Sequence, residues 1–321
     1  MPNWILTGIA AGLAAAAMQA AVLVPSLLSV FIFLLSSLPL FFVGLSRGWA
    51  SAAIGSVLAA VLLMFFANFQ LAVSFFLTAG LAPVLASMFS MISRDAAASS
   101  SEGEVRTSDR EWYPEGRLVL WLAGISALIT MAAVLTIATD YASYTATISK
   151  MVGQLLDVFE KGMPADRPRF PRADAVGLVV NFLPVFAAAM WLFAMVLSMR
   201  LAIFLLSFKN MALRPWAKFS QMAFPSSVVF AFFLILAIAY FTTGLLHILM
   251  LCAVGAIISA FVLLGLAVVH GLVENNSARP MLLGLLYTSL FLFSWLVAIP
   301  LTFLGLFDLN FNFRKLKNNQ S

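Results

Sequence analysis

Residues 225–269 read PSSVVFAFFLILAIAYFTTGLLHILMLCAVGAIISAFVLLGLAVV, a run of 45 without one charged side chain. As a single helix it would be about 67 Å long at 1.5 Å per residue. The hydrocarbon core of a bilayer is only roughly 30 Å thick, so a run of this length folds back on itself. Thr242-Thr243-Gly244 supplies the turn, and two membrane spans result. The same pattern extends outward along the chain. Leu118 to Thr139, Val176 to Met199 and Ile5 to Leu45 are equally free of charge. Of the 321 residues 63% are hydrophobic and 10% are charged, against roughly 25% charged in a soluble domain. Mean hydropathy is +1.04. The prediction is an all-α polytopic transmembrane helical bundle. Soluble enzymes, nucleic-acid binders and secreted disulfide scaffolds are excluded.

Taken segment by segment, the apolar runs predict nine spans in a single membrane domain, residues 1–321. Four lie in 1–92: near 4–24, 26–45, 49–66 and 71–92, with Pro25-Ser26 as the first break. Residues 93–116 change character, with Ala96-Ala97-Ala98-Ser99-Ser100-Ser101 among alternating charges, and read as a disordered cytoplasmic loop. The fifth and sixth spans, 117–139 and 176–206, share the segment 117–206 with a polar stretch, 140–175. Within that stretch Ile148, Met151, Val152, Leu155, Leu156 and Phe159 repeat at helical spacing, and Gly162 and Pro164 stop the pattern. The result is an amphipathic helix on the membrane surface or capping the bundle, with Ile148, Leu155 and Phe159 packed against the bundle or the outer bilayer surface. Spans 225–241, 244–269 and 281–304 and a polar tail complete residues 224–321.

Short-loop Lys and Arg set orientation. Arg47, Arg94, the loop with Lys209, Arg214 and Lys218, and Arg279 all follow even-numbered spans. The N-terminus and these loops are therefore expected in the cytoplasm of a bacterial inner membrane, and 140–175 in the periplasm. Nine crossings would put Arg314, Lys315 and Lys317 outside, against the rule, whereas eight spans with one late re-entrant segment would not. The opening Met1-Pro2-Asn3-Trp4 lacks a basic region and leads into an apolar stretch, which predicts a retained anchor. The single cysteine, Cys252, permits no internal disulfide and reads as a small buried hydrophobe.

Few residues offer chemistry. Arg200 is a charge near the end of an apolar helix, where it either anchors by snorkelling or holds an anionic or carbonyl group. Asn181, three residues before Pro184, marks a polar spot in the sixth span, where proline removes a backbone donor. His247 is the third substrate-binding candidate, although a lone histidine near a span end is commonly structural, and His247 with His270 makes no convincing metal site. Gly8, Gly12, Ala16 and Ala20 form a small-residue face, suited to internal packing or to docking a partner helix. No Asp or Glu falls inside a predicted span, which disfavours proton coupling. No phosphate-binding Gly-x-x-x-x-Gly-Lys-Ser/Thr loop occurs, nor His-Glu-x-x-His or Gly-x-Ser-x-Gly. No enzymatic activity, catalytic residue, metal or cofactor is predicted, and ATP-driven work would require a separate ATPase.

Leu264-Gly265-Leu266-Ala267-Val268-Val269-His270, with Gly305-Leu306-Phe307-Asp308 and Asn312-Phe313-Arg314, resembles the YybS-like bacterial membrane proteins, a family defined by sequence and not by an assigned activity. The Arg200 helix end and Phe224-Pro225 are also similar to that family. A more distant likeness is to the substrate-binding S components of energy-coupling-factor vitamin transporters. Pro39 and Gly44-Leu45-Ser46-Arg47-Gly48 resemble their second helix junction, and the small-residue face resembles their docking surface. That likeness implies a transport or substrate-binding subunit for a small or lipidic molecule, energised by separate ATPase or coupling subunits or working as a homo-oligomer. The alternative expectation is a scaffold organising cell-envelope machinery.

Overall fold

The computed structural model describes residues 3–24, 26–95, 110–161 and 171–314. In chain order the first elements are α1 (Asn3–Ala20), α2 (Leu27–Leu34), α3 (Leu38–Arg47), α4 (Trp49–Phe66), α5 (Phe69–Phe75) and α6 (Leu81–Ser90). A short hairpin of β1 (Ser93–Asp95) and β2 (Arg110–Trp112) follows. Then come α7 (Glu115–Ile137), α8 (Tyr141–Lys161), α9 (Arg172–Ser207), α10 (Ser227–Phe241), α11 (Gly244–Leu272) and α12 (Arg279–Phe311). Among the described residues eight helical segments are long and apolar enough to cross a membrane. The chain packs as two compact units, Met1–Leu122 with Phe193–Phe224, and Ala123–Leu192 with Pro225–Ser321.

The first unit is built on close helix approach. Lipid tails are as apolar as leucine, so spans associate through tight packing and hydrogen bonds and not through apolar burial alone. Gly8 and Gly12 of α1 lie against α4: a Cβ on Gly12 would stand 2.5 Å from the Gly55 carbonyl oxygen, and one on Gly8 2.7 Å from that of Ser51. Ala11, Ala15, Ala16, Ala52 and Ala59 are buried along the same seam, with Leu40, Leu63 and Phe75 in its core. The expected second span is broken at residues 35–37. Pro39 cannot donate to the carbonyl of residue 35 and its ring would clash there, so α3 starts afresh at Leu38. Ser36 Oγ donates to Gln19 Oε1 at 2.9 Å in the buried gap. Between α5 and α6 one π turn, Phe76–Gly80, keeps residues 69–90 a single apolar segment.

The second unit centres on α11, buried on all sides through most of Val254–Val268. Glycines again set the spacing: a Cβ on Gly255 would collide with the backbone of Val185, and one on Gly265 with that of Leu301. Three sequence expectations change here. The seventh span, 225–241, is α10, only 15 residues and so about 22 Å long, short of the roughly 30 Å core. The last span is a longer helix interrupted at Ser294 (φ 23, ψ −88), and its second part carries the glycine contacts with α11. The sixth begins at Arg172, before Val176, and carries Pro184 inside it.

The loop expected to be disordered over 93–116 is ordered at both ends. Ser93 pairs with Trp112, Arg94 with Glu111 and Asp95 with Arg110, and Glu115 opens α7. Its interior, 96–109, lies outside the described residues, as do Pro25, Gly162, Pro164, Lys315 and Lys317.

Candidate functional site

Two settings carry polar side chains that helix packing alone does not account for. The first lies in unit one, where the segment between α9 and α10 meets the ends of α3, α6 and α7. Arg214, 4% exposed, donates from Nη1 to the carbonyls of Tyr113 (2.8 Å) and Ser90 (3.2 Å). Its guanidinium lies 3.8 Å from the centroid of the Trp216 ring. Arg200 Nη2 stands 2.6 Å from Glu115 Oε2 in an ion pair outside hydrogen-bond geometry, and its guanidinium faces Phe219. The other carboxylate oxygen, Glu115 Oε1, accepts from the Ala217 N–H at 2.8 Å. Burial brings Arg214 down to about 10, with Arg200 pushing the same way and Glu115 opposing. Glu115 is thus ion-paired with Arg200, and its charge also reaches Arg214. Among the described residues, Arg200 Nε and Nη2, Arg214 Nε and Trp216 Nε1 have no hydrogen-bond acceptor.

The second setting is a groove of about 500 Å³ between α8 and the start of α9, in unit two. Tyr141, Thr145 and Ser149, at i, i+4 and i+8, line one wall and Gly153 continues it. Arg172, Gly177 and Asn181 line the other, with Val152, Val176 and Val180 between them. A Cβ on Gly153 or Gly177 would meet no atom within 4 Å, so both glycines leave the groove wide. Arg172 Nη2 donates to Asp157 Oδ1 (2.6 Å) and Glu160 Oε2 (3.0 Å), tying the start of α9 to the last turns of α8. Tyr144 holds the same helices together from beneath. It is fully buried, its hydroxyl donates to the Val180 carbonyl at 3.3 Å, and burial pushes the phenol up to about 12. At the other end Asp140 caps α8: Oδ1 accepts from the Ser143 N–H at 2.8 Å, which holds the carboxyl below its ordinary range. Hydroxyls on one wall, valines between and an arginine at one end suit a molecule with both polar and apolar parts.

The three predicted substrate-binding residues do not come together. Asn181 lines the groove, with Nδ2 donating to the Gly177 carbonyl at 2.9 Å. His247 does not line it; its Nδ1 lies 2.8 Å from the Ala239 carbonyl across the α10–α11 turn, a structural contact. Arg200 belongs to the cluster in unit one and is an ion-paired residue, not a bare snorkelling charge. The small-residue face is also corrected as a partner-docking surface. Gly8, Gly12 and Ala16 are buried and Ala20 packs on the same core, because the chain's own α4 fills that face.

Sequence reasoning missed Glu115 and Arg214, both assigned to loops, although an acidic residue ahead of an apolar run is a recognisable helix-start signal. It missed Thr145 and Ser149, whose four-residue spacing from Tyr141 is visible in the sequence. Asp308, in the last turn of α12, is 1% exposed and paired with Arg314 at 2.6 Å. Cys252 is fully buried. Among the described residues no three His, Cys, Asp or Glu side chains gather as a metal site. A family model described as a predicted membrane protein, DUF2232, matches residues 12–309. No curated protein and no solved structure matches the chain.

Proposed function

The chain belongs to the DUF2232 family of predicted membrane proteins, and from that premise we propose a multi-pass substrate-binding subunit that takes a small amphipathic or lipidic molecule into the α8–α9 groove. The observation that carries this reading is the groove itself, about 500 Å³ with hydroxyl, amide and guanidinium groups around valines. Its volume falls within the ordinary range for small-molecule sites, roughly 300–1,000 Å³. Among the described residues no His, Cys, Asp or Glu lines it, so a nucleophile would find no base among them, and binding without chemistry is the fitting role. Energy for transport would come from partner chains, since the sequence has no phosphate-binding loop. The setting would be a bacterial inner membrane with the N-terminus in the cytoplasm and the groove on the periplasmic side, following the positions of Lys and Arg. Closer kinship with YybS-like proteins fits the family. The analogy with S components is weakened, because the helix face it would dock with is occupied by α4.

Filling the groove tests the reading. Gly177→Leu projects into open space and should leave folding intact. A bound ligand at one hundred times its Kd stabilises by about 2.7 kcal/mol, so a panel of lysolipids, isoprenoids and vitamins should contain a member that raises the melting temperature of the wild type and not of Gly177→Leu. Full complementation of a deletion strain by well-expressed Gly177→Leu would overturn the proposal. A scaffold role is favoured by one different observation: Met151, Leu155, Val158 and Phe159 of α8 are all exposed and offer a surface for another membrane protein.

A further inference from the structure

We propose that the Arg200–Arg214–Glu115 cluster is a binding site for a phosphate group, carried by an anionic phospholipid headgroup or by a soluble phosphate. This inference is independent of the α8–α9 groove.

Charge and hydrogen-bond balance are both incomplete at this cluster. Among the described residues Glu115 is ion-paired with Arg200 at 2.6 Å, and the buried Arg214, held by the Ser90 and Tyr113 carbonyls, has no ion pair of its own. Buried excess charge is costly and is ordinarily matched by a counter-ion. The donor inventory points the same way. Arg214 is more than nine-tenths buried, yet among the described residues its Nε has no acceptor, nor have Arg200 Nε and Trp216 Nε1. Buried polar groups are hydrogen-bonded in the great majority of cases, and three orphan donors beside excess positive charge call for an acceptor-rich anion. A tetrahedral phosphate, with several oxygens and negative charge, is suited to planar guanidinium donors. The Arg200 side chain, 19% exposed against 7% for Glu115, is the edge of the cluster nearest the surface, with its Nε and Nη2 lying just beneath it. The segment that carries Arg214 and Trp216 adjoins the end of a membrane-crossing helix, α9, where headgroups lie. Glu115 then has two tasks. It holds the Ala217 N–H, and it offsets part of the positive charge when no anion is bound.

Purified full-length protein, delipidated in non-ionic detergent, is offered phosphatidylglycerol, phosphatidylcholine or inorganic phosphate, with retention read by native mass spectrometry and stability by thermal melting. Wild type should retain phosphatidylglycerol at least tenfold over phosphatidylcholine. Arg200→Gln should abolish the preference. Arg200→Lys, which keeps the charge but not the planar fork, should cut it several-fold and serves if Arg200→Gln does not fold. Glu115→Gln should retain the anion as well as wild type or better, because it removes a competing negative charge while Oε1 can still accept from Ala217. A melting shift with inorganic phosphate and none with phosphatidylglycerol would identify a soluble phosphate as the source and uphold the site. Absence of both responses, or undiminished preference in folded Arg200→Gln, would overturn it. So would loss of retention in a normally melting Glu115→Gln protein, the signature of a purely structural ion pair.

Discussion

A single added methyl group separates what the sequence says about a glycine from what the fold does with it. Gly12 and Gly124 are both glycines inside apolar helices. A Cβ on Gly12 would come within 2.5 Å of a backbone carbonyl oxygen, whereas one on Gly124 would meet nothing within 4 Å. Carbonyls of a packed helix cannot rotate away, so Gly12→Ala forces α1 off α4, at about 1–3 kcal/mol by analogy with overpacked cores. Gly124→Ala should be neutral or stabilising by up to about 1 kcal/mol, since alanine is the better helix former. Melting of the two variants in detergent checks this, and equal loss in both would contradict the packing account. The spacing of Gly8 and Gly12 was legible as a contact face, because side-chain size is written in the sequence. What fills the face was not, since an internal helix and a foreign one require the same small residues. Arg200 follows the same logic. A charge in an apolar setting stood out, but Glu115, distant in the chain, became its partner only once α7 and α9 were packed.

At the scale of the element, α8 shows how one periodicity can serve two different environments. The apolar positions of 148–159 predict a helix, and α8 is one. They comprise two adjoining stripes, and the set Ile148, Leu155 and Phe159, expected against the bundle or the outer bilayer surface, draws on both. Tyr144, Ile148 and Val152 are buried against the unit, while Leu155 and Phe159 are 57% and 58% exposed from protein. The outward stripe suits the headgroup–acyl boundary of the bilayer, because α8 follows one membrane-spanning helix and precedes another. In a Cys252→Ala background, a cysteine at Leu155 should therefore resist a membrane-impermeant thiol reagent in liposomes and react in detergent-free nanodiscs no faster. A cysteine at Ser149, in the groove wall, should react in both. Ready labelling of Leu155→Cys in liposomes would mean that the stripe faces water or a lost partner and not lipid. Helix ends proved less legible than helix faces: Pro39 signalled the break before α3 only to a reader who weighed it above the continuous apolar run.

For the whole molecule, apolar run length was enough to establish a helical membrane protein, yet it could not fix the number of crossings. Run length counts apolar residues, whereas crossing depends on how many of them form one straight helix. Residues 225–241 yield a helix of only 15 residues, and 279–311 are interrupted at Ser294. Sidedness in the first unit rests on firmer ground. The Leu213 N–H donates to the Leu45 carbonyl at 3.1 Å, and Arg214 donates to Ser90 and Tyr113. The ends of α3 and α6, the start of α7 and the segment after α9 are therefore joined to one another and must share one side of the bilayer. These are the positions that collect Arg47, Arg94, Lys209 and Lys218, and a basic bias marks the cytoplasmic side. Helix α4, 18 residues and about 27 Å long, carries the chain from that side to the other. Single cysteines replacing Arg47, Trp112 and Lys209 should accordingly be blocked only after permeabilisation of spheroplasts, and one replacing Gln70 should be blocked from outside. Cys252, fully buried, is removed in all of them so that no background reaction enters. If Arg47→Cys and Lys209→Cys reacted from opposite faces, the hydrogen bonds that join the first unit would be wrong. If all four exchanged sides together, those bonds would stand and only the charge-based orientation would fall.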